Sequence, residues 1–198
     1  MRPPRRQARG ERRIAELLDA AAEVFAEVGY GAATTNAIAA RAGVSPGSLY
    51  QFFDNKEAIA EALAMRYVEQ LRALQTWPAE ARLPLDVVLD RLVDPLVAFN
   101  EANPAFQTLL HGPDVPSAVA RATERLHREA LGHVDALLAA LAPGLSAEDR
   151  RRRAVVCKHL AKALLPLILA AGPPERQRLA GELKLVLRGY LAPIADVS

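Results

Sequence analysis

Cysteine is almost absent: Cys157 stands alone in 198 residues. No internal disulfide framework can form, and the expectation is a reducing cytoplasm with a buried, inert thiol. Aromatic residues make up only 5% of the chain. Runs of β-branched residues are few while alanine and leucine dominate, a balance that favours an all-helical fold. Long apolar runs are missing too. The longest, residues 163–171, carries Pro166 and is too short to cross a bilayer, so no membrane partner is expected. The basic N-terminus lacks the following apolar stretch that a signal peptide needs.

Catalytic patterns are missing as well. His111, His127, His133 and His159 show no i,i+4 pairing, and Cys157 two residues before His159 is not a zinc-site spacing. There is no glycine-rich phosphate loop, nucleophile elbow or paired-carboxylate motif. An enzyme is therefore not expected, nor is a metal or cofactor. With 51% hydrophobic and 24% charged residues, the length suits one or two small soluble domains.

Charge is distributed unevenly. Residues 1–13 hold six arginines (Arg2, Arg5, Arg6, Arg9, Arg12, Arg13) against Glu11, net +5, on a chain of net +2. Pro3, Pro4 and Gly10 suggest a disordered start to this arm. Residues 14–65 reverse the balance: Arg41 and Lys56 face seven acids, net −5.

What is present is the stretch from Thr34 to Lys56. Thr34 is a good N-cap for a short helix whose apolar face is Ile38, Ala39 and Ala42. Gly43 supplies a left-handed turn and Val44 plugs the corner. Ser45 caps a second helix with Pro46 in its first turn, held to the body by Leu49, Phe52 and Phe53. This is helix-turn-helix spacing, with Ala39 at the close crossing. The outward residues Pro46, Gly47, Ser48, Tyr50 and Gln51 are short or polar groups able to enter a major groove and reach base edges or phosphates. A helical hairpin inside an all-helical protein is the competing reading.

The segment from Gly29 to Leu63 (GYGAATTNAIAARAGVSPGSLYQFFDNKEAIAEAL) resembles the DNA-binding part of the tetracycline-repressor (TetR) family of bacterial regulators. The aromatic-Gly before the Thr pair, the IA-x-x-AGVS turn, Gly47, Leu49-Tyr50, Phe52-Phe53 and Asn55-Lys56-Glu57 carry the likeness. It implies an all-α, two-domain regulator. Residues 1–65 would form the arm and helix-turn-helix DNA-binding domain, and residues 66–198 a helical ligand-sensing and dimerising domain. The implied action is repression from a near-palindromic operator, released by a small, mostly apolar ligand; activation, or ligand-dependent binding, is the alternative. Helix N-terminal N–H groups place Thr34, Thr35 and Ser45 at the DNA backbone. By resemblance Thr35, Asn36, Pro46, Gly47 and Ser48 face base edges, Tyr50 and Lys56 contact phosphate, and Gln51 reaches either. Tyr50 as a packing residue is the alternative for that position. Beside this motif the arginine arm reads as a phosphate or minor-groove contact, with a solvated tail as the alternative.

The remaining helices follow from punctuation. The first is expected over residues 9–28, ending at Gly29, with Ile14, Leu17, Leu18, Ala21, Phe25 and Val28 as its stripe. A fourth starts near Lys56 behind Asp54 or Asn55 and buries Ile59, Leu63, Tyr67 and Leu71. Later helices are expected over residues 84–101 with a kink at Pro95, from Asn103 to His111, over 116–141, and over 147–171 behind a Ser146–Asp149 capping box; a last one follows Gly172. The final two are the expected homodimer surface, with the stripe Leu179, Leu183, Val186, Leu187 and Tyr190. Intrachain packing of both is the alternative. A ligand cavity is expected along the inner spacing of Val88, Leu92, Leu96 and Phe99, with Phe106, Leu109 and Leu110 on the next helix; simple core packing by these residues is the alternative. Asn100, Gln107 and His111 are the cavity's candidate polar anchors and Trp77 closes one end.

Overall fold

Alanine, leucine, arginine and glutamate all favour the helix, and every regular element among the described residues is α-helical. The computed structural model describes residues 5–74, 83–111 and 116–195. In chain order these are α1 (Arg5–Ala32), α2 (Thr35–Arg41), α3 (Pro46–Tyr50), α4 (Lys56–Leu74), α5 (Leu85–Ala102), α6 (Pro104–His111), α7 (Ser117–Leu141), α8 (Ala147–Ala170) and α9 (Pro173–Ala195). None is long and apolar enough to cross a membrane.

α1 departs from its expected bounds at both ends. It begins at Arg5 and runs straight through Gly10, so the arginine arm from there on is helical rather than disordered. Gly29 does not end the helix. At φ 75°, ψ 165° it breaks the helical geometry, and one more turn follows to Ala32. Leu17, Leu18, Ala21 and Phe25 are buried, whereas Ile14 and Val28 at the ends of the expected stripe are exposed.

The chain divides into two compact units. The first comprises residues 1–70 and 103–124, so α6 and the opening turns of α7 belong with the N-terminal helices. Its core holds Phe25 of α1, Ile38 and Ala39 of α2, Leu49 of α3, Ile59, Leu63 and Tyr67 of α4, and Phe106 and Leu109 of α6. The Phe106 ring meets Tyr67 edge-on at 5.6 Å, and the Thr108 hydroxyl lies 3.3 Å from the Phe25 carbonyl on α1. Asn55, not Asp54, caps α4, accepting from Ala58 N at 2.8 Å.

The second unit comprises residues 71–102 and 125–198. Leu89, Val93 and Val97 of α5 pack with Leu138 of α7, Cys157, Leu165 and Ile168 of α8, and Leu183, Leu187 and Leu191 of α9. Burial pushes the Cys157 thiol up to about 11, which keeps it in the unreactive protonated form. α5 continues as one helix through Pro95. Its core stripe is 89/93/97, and the expected cavity lining 88/92/96/99 begins one residue earlier. Val88 and Phe99 are also buried, so the helix is covered on more than one side. Ser146 caps α8, its hydroxyl accepting from Asp149 N at 3.1 Å and donating to Asp149 Oδ2 at 2.8 Å. Between α5 and α9, Lys184 reaches Asp90 and Asp94 at 2.7 Å each, and Arg188 reaches Asp86 at 3.2 Å.

The end of α4 is clamped to α7 in this unit. Arg72 donates to both carboxylate oxygens of Glu129, at 2.7 and 2.6 Å, and Arg125 adds a third contact at 3.2 Å. The Arg72 hydrogen bonds hold the Glu129 carboxyl at about 2, against 4.5 for a free group. A carboxyl depressed on folding stabilises above its unfolded value and loses that contribution as pH falls through the folded one. Glu129→Gln should therefore lower Tm at pH 7, with the gap to wild type closing between about pH 4.5 and about pH 2. A gap independent of pH would show that the clamp is not electrostatic.

Candidate nucleic-acid interface

The helix-turn-helix forms as the residue types demand. Thr34, at φ −125° and ψ 151°, caps α2 by accepting from Ala37 N at 3.1 Å. Gly43, at φ 66°, takes the left-handed conformation between the helices, and Val44 N donates to Ala39 O at 3.0 Å to close the turn. Ser45 caps α3, accepting from Ser48 N at 3.1 Å, with the two serine hydroxyls 2.9 Å apart. Ile38, Ala39 and Leu49 are fully buried beneath, and Val44 is half-buried.

On the outer face, Thr34, Asn36, Ser45, Pro46, Gly47, Tyr50 and Gln51 are exposed, while Thr35 and Ser48 are half-buried. Tyr50 is 49% exposed. Its hydroxyl lies 3.0 Å from Thr35 Oγ1, which ties the end of α3 to the start of α2 and presents two hydroxyls side by side. Fifteen residues separate the two, so no local spacing rule reveals the pair.

Phe52 is a correction. Leu49 and Phe53 hold α3 to the body, but Phe52 is 37% exposed. α3 ends at Tyr50 with Gln51 as its C-cap, so helical spacing no longer governs where Phe52 points.

Neither cation of the motif is idle. Arg41 donates to Glu23 Oε2 at 2.9 Å and to both Glu27 oxygens at 2.8 and 2.6 Å. Those bonds hold the Glu27 carboxyl below its usual range. Lys56 Nζ donates to the Tyr30 and Gly31 carbonyls at 2.8 and 3.1 Å and sits 4.4 Å from the centre of the Tyr30 ring. It thereby satisfies carbonyls at the C-terminal end of α1. Burial, then hydrogen bonding with Glu57, pushes the Tyr30 phenol up to about 12.

The first turns of α1 lie beside α3. Arg9, Gly10, Arg12, Arg13, Glu16 and Leu17 form one side of an open groove of about 450 Å³, and Val44, Ser48, Gln51 and Phe52 form the other. The arginines stand out in the sequence, but their neighbour across the groove does not. The i,i+3/i+4 recurrence of Arg5, Arg9, Arg12 and Arg13 was the available signal.

The expected ligand residues fall in different places. Leu92 and Leu96 are half-buried, Phe99 and Asn100 buried, all on α5 in the second unit. The Asn100 amide donates to the Leu96 carbonyl at 2.8 Å. Phe106 and the half-buried Gln107 belong to the first unit. Leu110 and His111 end α6, their side chains outside the described part, and Trp77 lies outside the described residues.

Residues 17–63 match the family described as bacterial regulatory proteins, tetR family, and residues 84–191 match the tetracyclin repressor-like C-terminal domain. Among curated relatives, the transcriptional regulator UidR of Escherichia coli is 34% identical over 77 residues, which is 39% of either chain. The transcriptional repressor KstR2 of Rhodococcus jostii is 44% identical over 59 residues, 30% of this chain and 29% of its own. These matches thus span well under half of each relative. A TetR-family regulator of Streptomyces coelicolor is similar along the whole fold: 31% identity, 92% of this chain, 99% of that one, TM-score 0.62. FadR of Bacillus subtilis, solved with stearoyl-CoA, shares the fold at 20% identity, with 87% and 96% coverage and TM-score 0.67.

Proposed function

The chain belongs to the TetR family and is a DNA-binding transcriptional regulator; from that premise we propose that it is a cytoplasmic repressor, bound as a homodimer to a near-palindromic operator and released by a small apolar effector. The observation that carries the reading is the outer face of α2 and α3. It gathers the hydroxyls of Thr34, Thr35, Ser45, Ser48 and Tyr50 with the amides of Asn36 and Gln51, around an N-terminal turn built of Pro46 and Gly47. We assign Thr34, Thr35, Ser45, Tyr50 and Lys56 to phosphates and Asn36, Pro46, Gly47 and Ser48 to base edges, with Thr35 and Gln51 reaching either. The DNA-binding domain of this reading is residues 1–65, and sensing and dimerisation belong to residues 66–198. A repressor and an activator both stand among the relatives, so the sign of regulation rests on the deletion experiment below. The stearoyl-CoA complex of the Bacillus subtilis protein supports an apolar effector on this fold. Leu92, Leu96 and Phe99 of α5 supply apolar surface of the kind such a ligand needs.

Selecting bound fragments from genomic DNA tests the core of this. Enrichment of a two-fold-symmetric sequence with half-site centres roughly 34–36 Å apart supports a dimeric operator complex. Recovery of fragments with no shared sequence would sink it. Transcription from that site should then rise when the gene is deleted; a fall would mark an activator.

The phosphate assignments separate in a salt titration. Tyr50→Phe should weaken operator binding by about 1.5–3 kcal/mol, the loss of one hydrogen bond to an ionised phosphate, with the salt slope unchanged. Lys56→Ala should reduce the log–log slope by about 0.9 per bound protomer, alike on all sequences. A lower Tm with an unchanged slope would make Lys56 a cap for α1 and nothing more.

A further inference from the structure

DNA binding by a small domain depends on cations that neutralise phosphate. The segment from residue 14 to 65 has only Arg41 and Lys56 against seven acids. The structure engages both. The Arg41 guanidinium is taken up by three hydrogen bonds to Glu23 and Glu27, and two of the three Lys56 donors lie on backbone carbonyls. The helix-turn-helix thus has the shape to read DNA but little charge to hold it. The exposed Arg9 and Arg12 stand across the groove from Ser48, Gln51 and Phe52, the side of α3 that continues the recognition surface. Arg13 on the same turn is tied to Glu16 at 2.8 Å.

We propose that the groove between the start of α1 and the end of α3 is a phosphodiester-backbone site, in which Arg9 and Arg12 supply most of the electrostatic affinity while the helix-turn-helix supplies sequence selection. This deepens the DNA-binding reading and rests on it. The arm is helical here, and a helix 10–12 Å across cannot enter a minor groove about 6 Å wide. In this proposal the two guanidiniums meet the strand at its phosphates, with the half-buried Val44 and the exposed Phe52 offering an apolar wall to the sugars. Guanidinium forks suit phosphate oxygens bidentately.

The test uses full-length wild type, Arg9→Gln, Arg12→Gln and the double variant. Binding to the selected operator and to a scrambled duplex is measured by fluorescence anisotropy from 50 to 300 mM KCl, with melting curves as a fold check. Each single change is expected to lower the salt slope by about 0.9 per bound protomer, and the pair by about 1.8. The operator-to-scrambled affinity ratio and Tm should stay at wild-type values. An unchanged slope in the double variant, with wild type still binding, overturns this inference alone. A loss that depends on A·T content beside the half-sites also overturns it, by showing minor-groove readout instead. A wild type that retains neither duplex overturns the DNA-binding reading as well.

Discussion

Leu185→Glu is expected to yield a folded monomer at micromolar concentration whose operator affinity falls by on the order of 10²–10⁴, the factor that linking two half-site contacts supplies. Leu185 is 61% exposed on α9, and Leu167 is 54% exposed on the neighbouring α8. Single exposed leucines are ordinary; these two belong to continuous ridges. On α9 the i,i+4 ridge Gly181, Leu185, Gly189, Pro193 is exposed throughout, and on α8 the ridge Val155, His159, Ala163, Leu167 is too. Ridges of this spacing interdigitate when helices pack, and the open space over Gly181 and Gly189 leaves room on either side of the Leu185 knob. A two-fold axis would bring each ridge onto its own copy. Glutamate at 185 would then face its twin and its neighbour Glu182 inside a desolvated interface. Sedimentation equilibrium and anisotropy on full and half operators check this. A dimer that survives Leu185→Glu would place the interface elsewhere.

The same two helices show what the sequence could and could not disclose. α8 reads as apolar on most faces and α9 as carrying a stripe, but Leu183 and Leu187 of the expected contact stripe belong to the intrachain core, while Val186 and the unexpected Leu185 are exposed. α9 is apolar over more than half its circumference, so periodicity alone does not say which part faces its own α5 and α8. α5 hid its core face for the same reason. The helix-turn-helix was legible almost residue by residue, because its determinants are local: a cap at Thr34, positive φ at Gly43, a cap at Ser45 and three buried side chains within twelve positions. Its long-range ties were not. Arg41 meets Glu27 across 14 residues and Lys56 meets Tyr30 across 26, distances at which spacing carries no register. At the N-terminus, the helix-forming arginines outweighed the roughly 1 kcal/mol penalty of Gly10, a contest that composition alone does not decide.

Leu49→Ala should reduce operator affinity by about 10²-fold, more than any single contact residue on the DNA-facing surface. α3 is only 5 residues long, far below the length at which a helix holds itself in water. Its position therefore depends on the Ser45 cap and on the side chains it buries. Leu49 is fully buried, and its carbonyl accepts from Phe52 N and Phe53 N at 2.9 and 3.1 Å, so it fixes both the helix and the turn that leaves it. Truncating a buried leucine costs about 3 kcal/mol when the cavity does not collapse. If that loss falls on the docking of α3, and docking in the free wild type is close to balance, the binding-competent fraction drops by about 10², and apparent affinity drops with it. Leu49→Met, which keeps the volume, should cost under about 1.5 kcal/mol and stay within about tenfold of wild type. Two measurements separate docking from global stability: operator affinity well below Tm, and amide exchange of residues 46–50. Affinity at the wild-type level with those amides still protected would show that α3 is held by contacts other than Leu49.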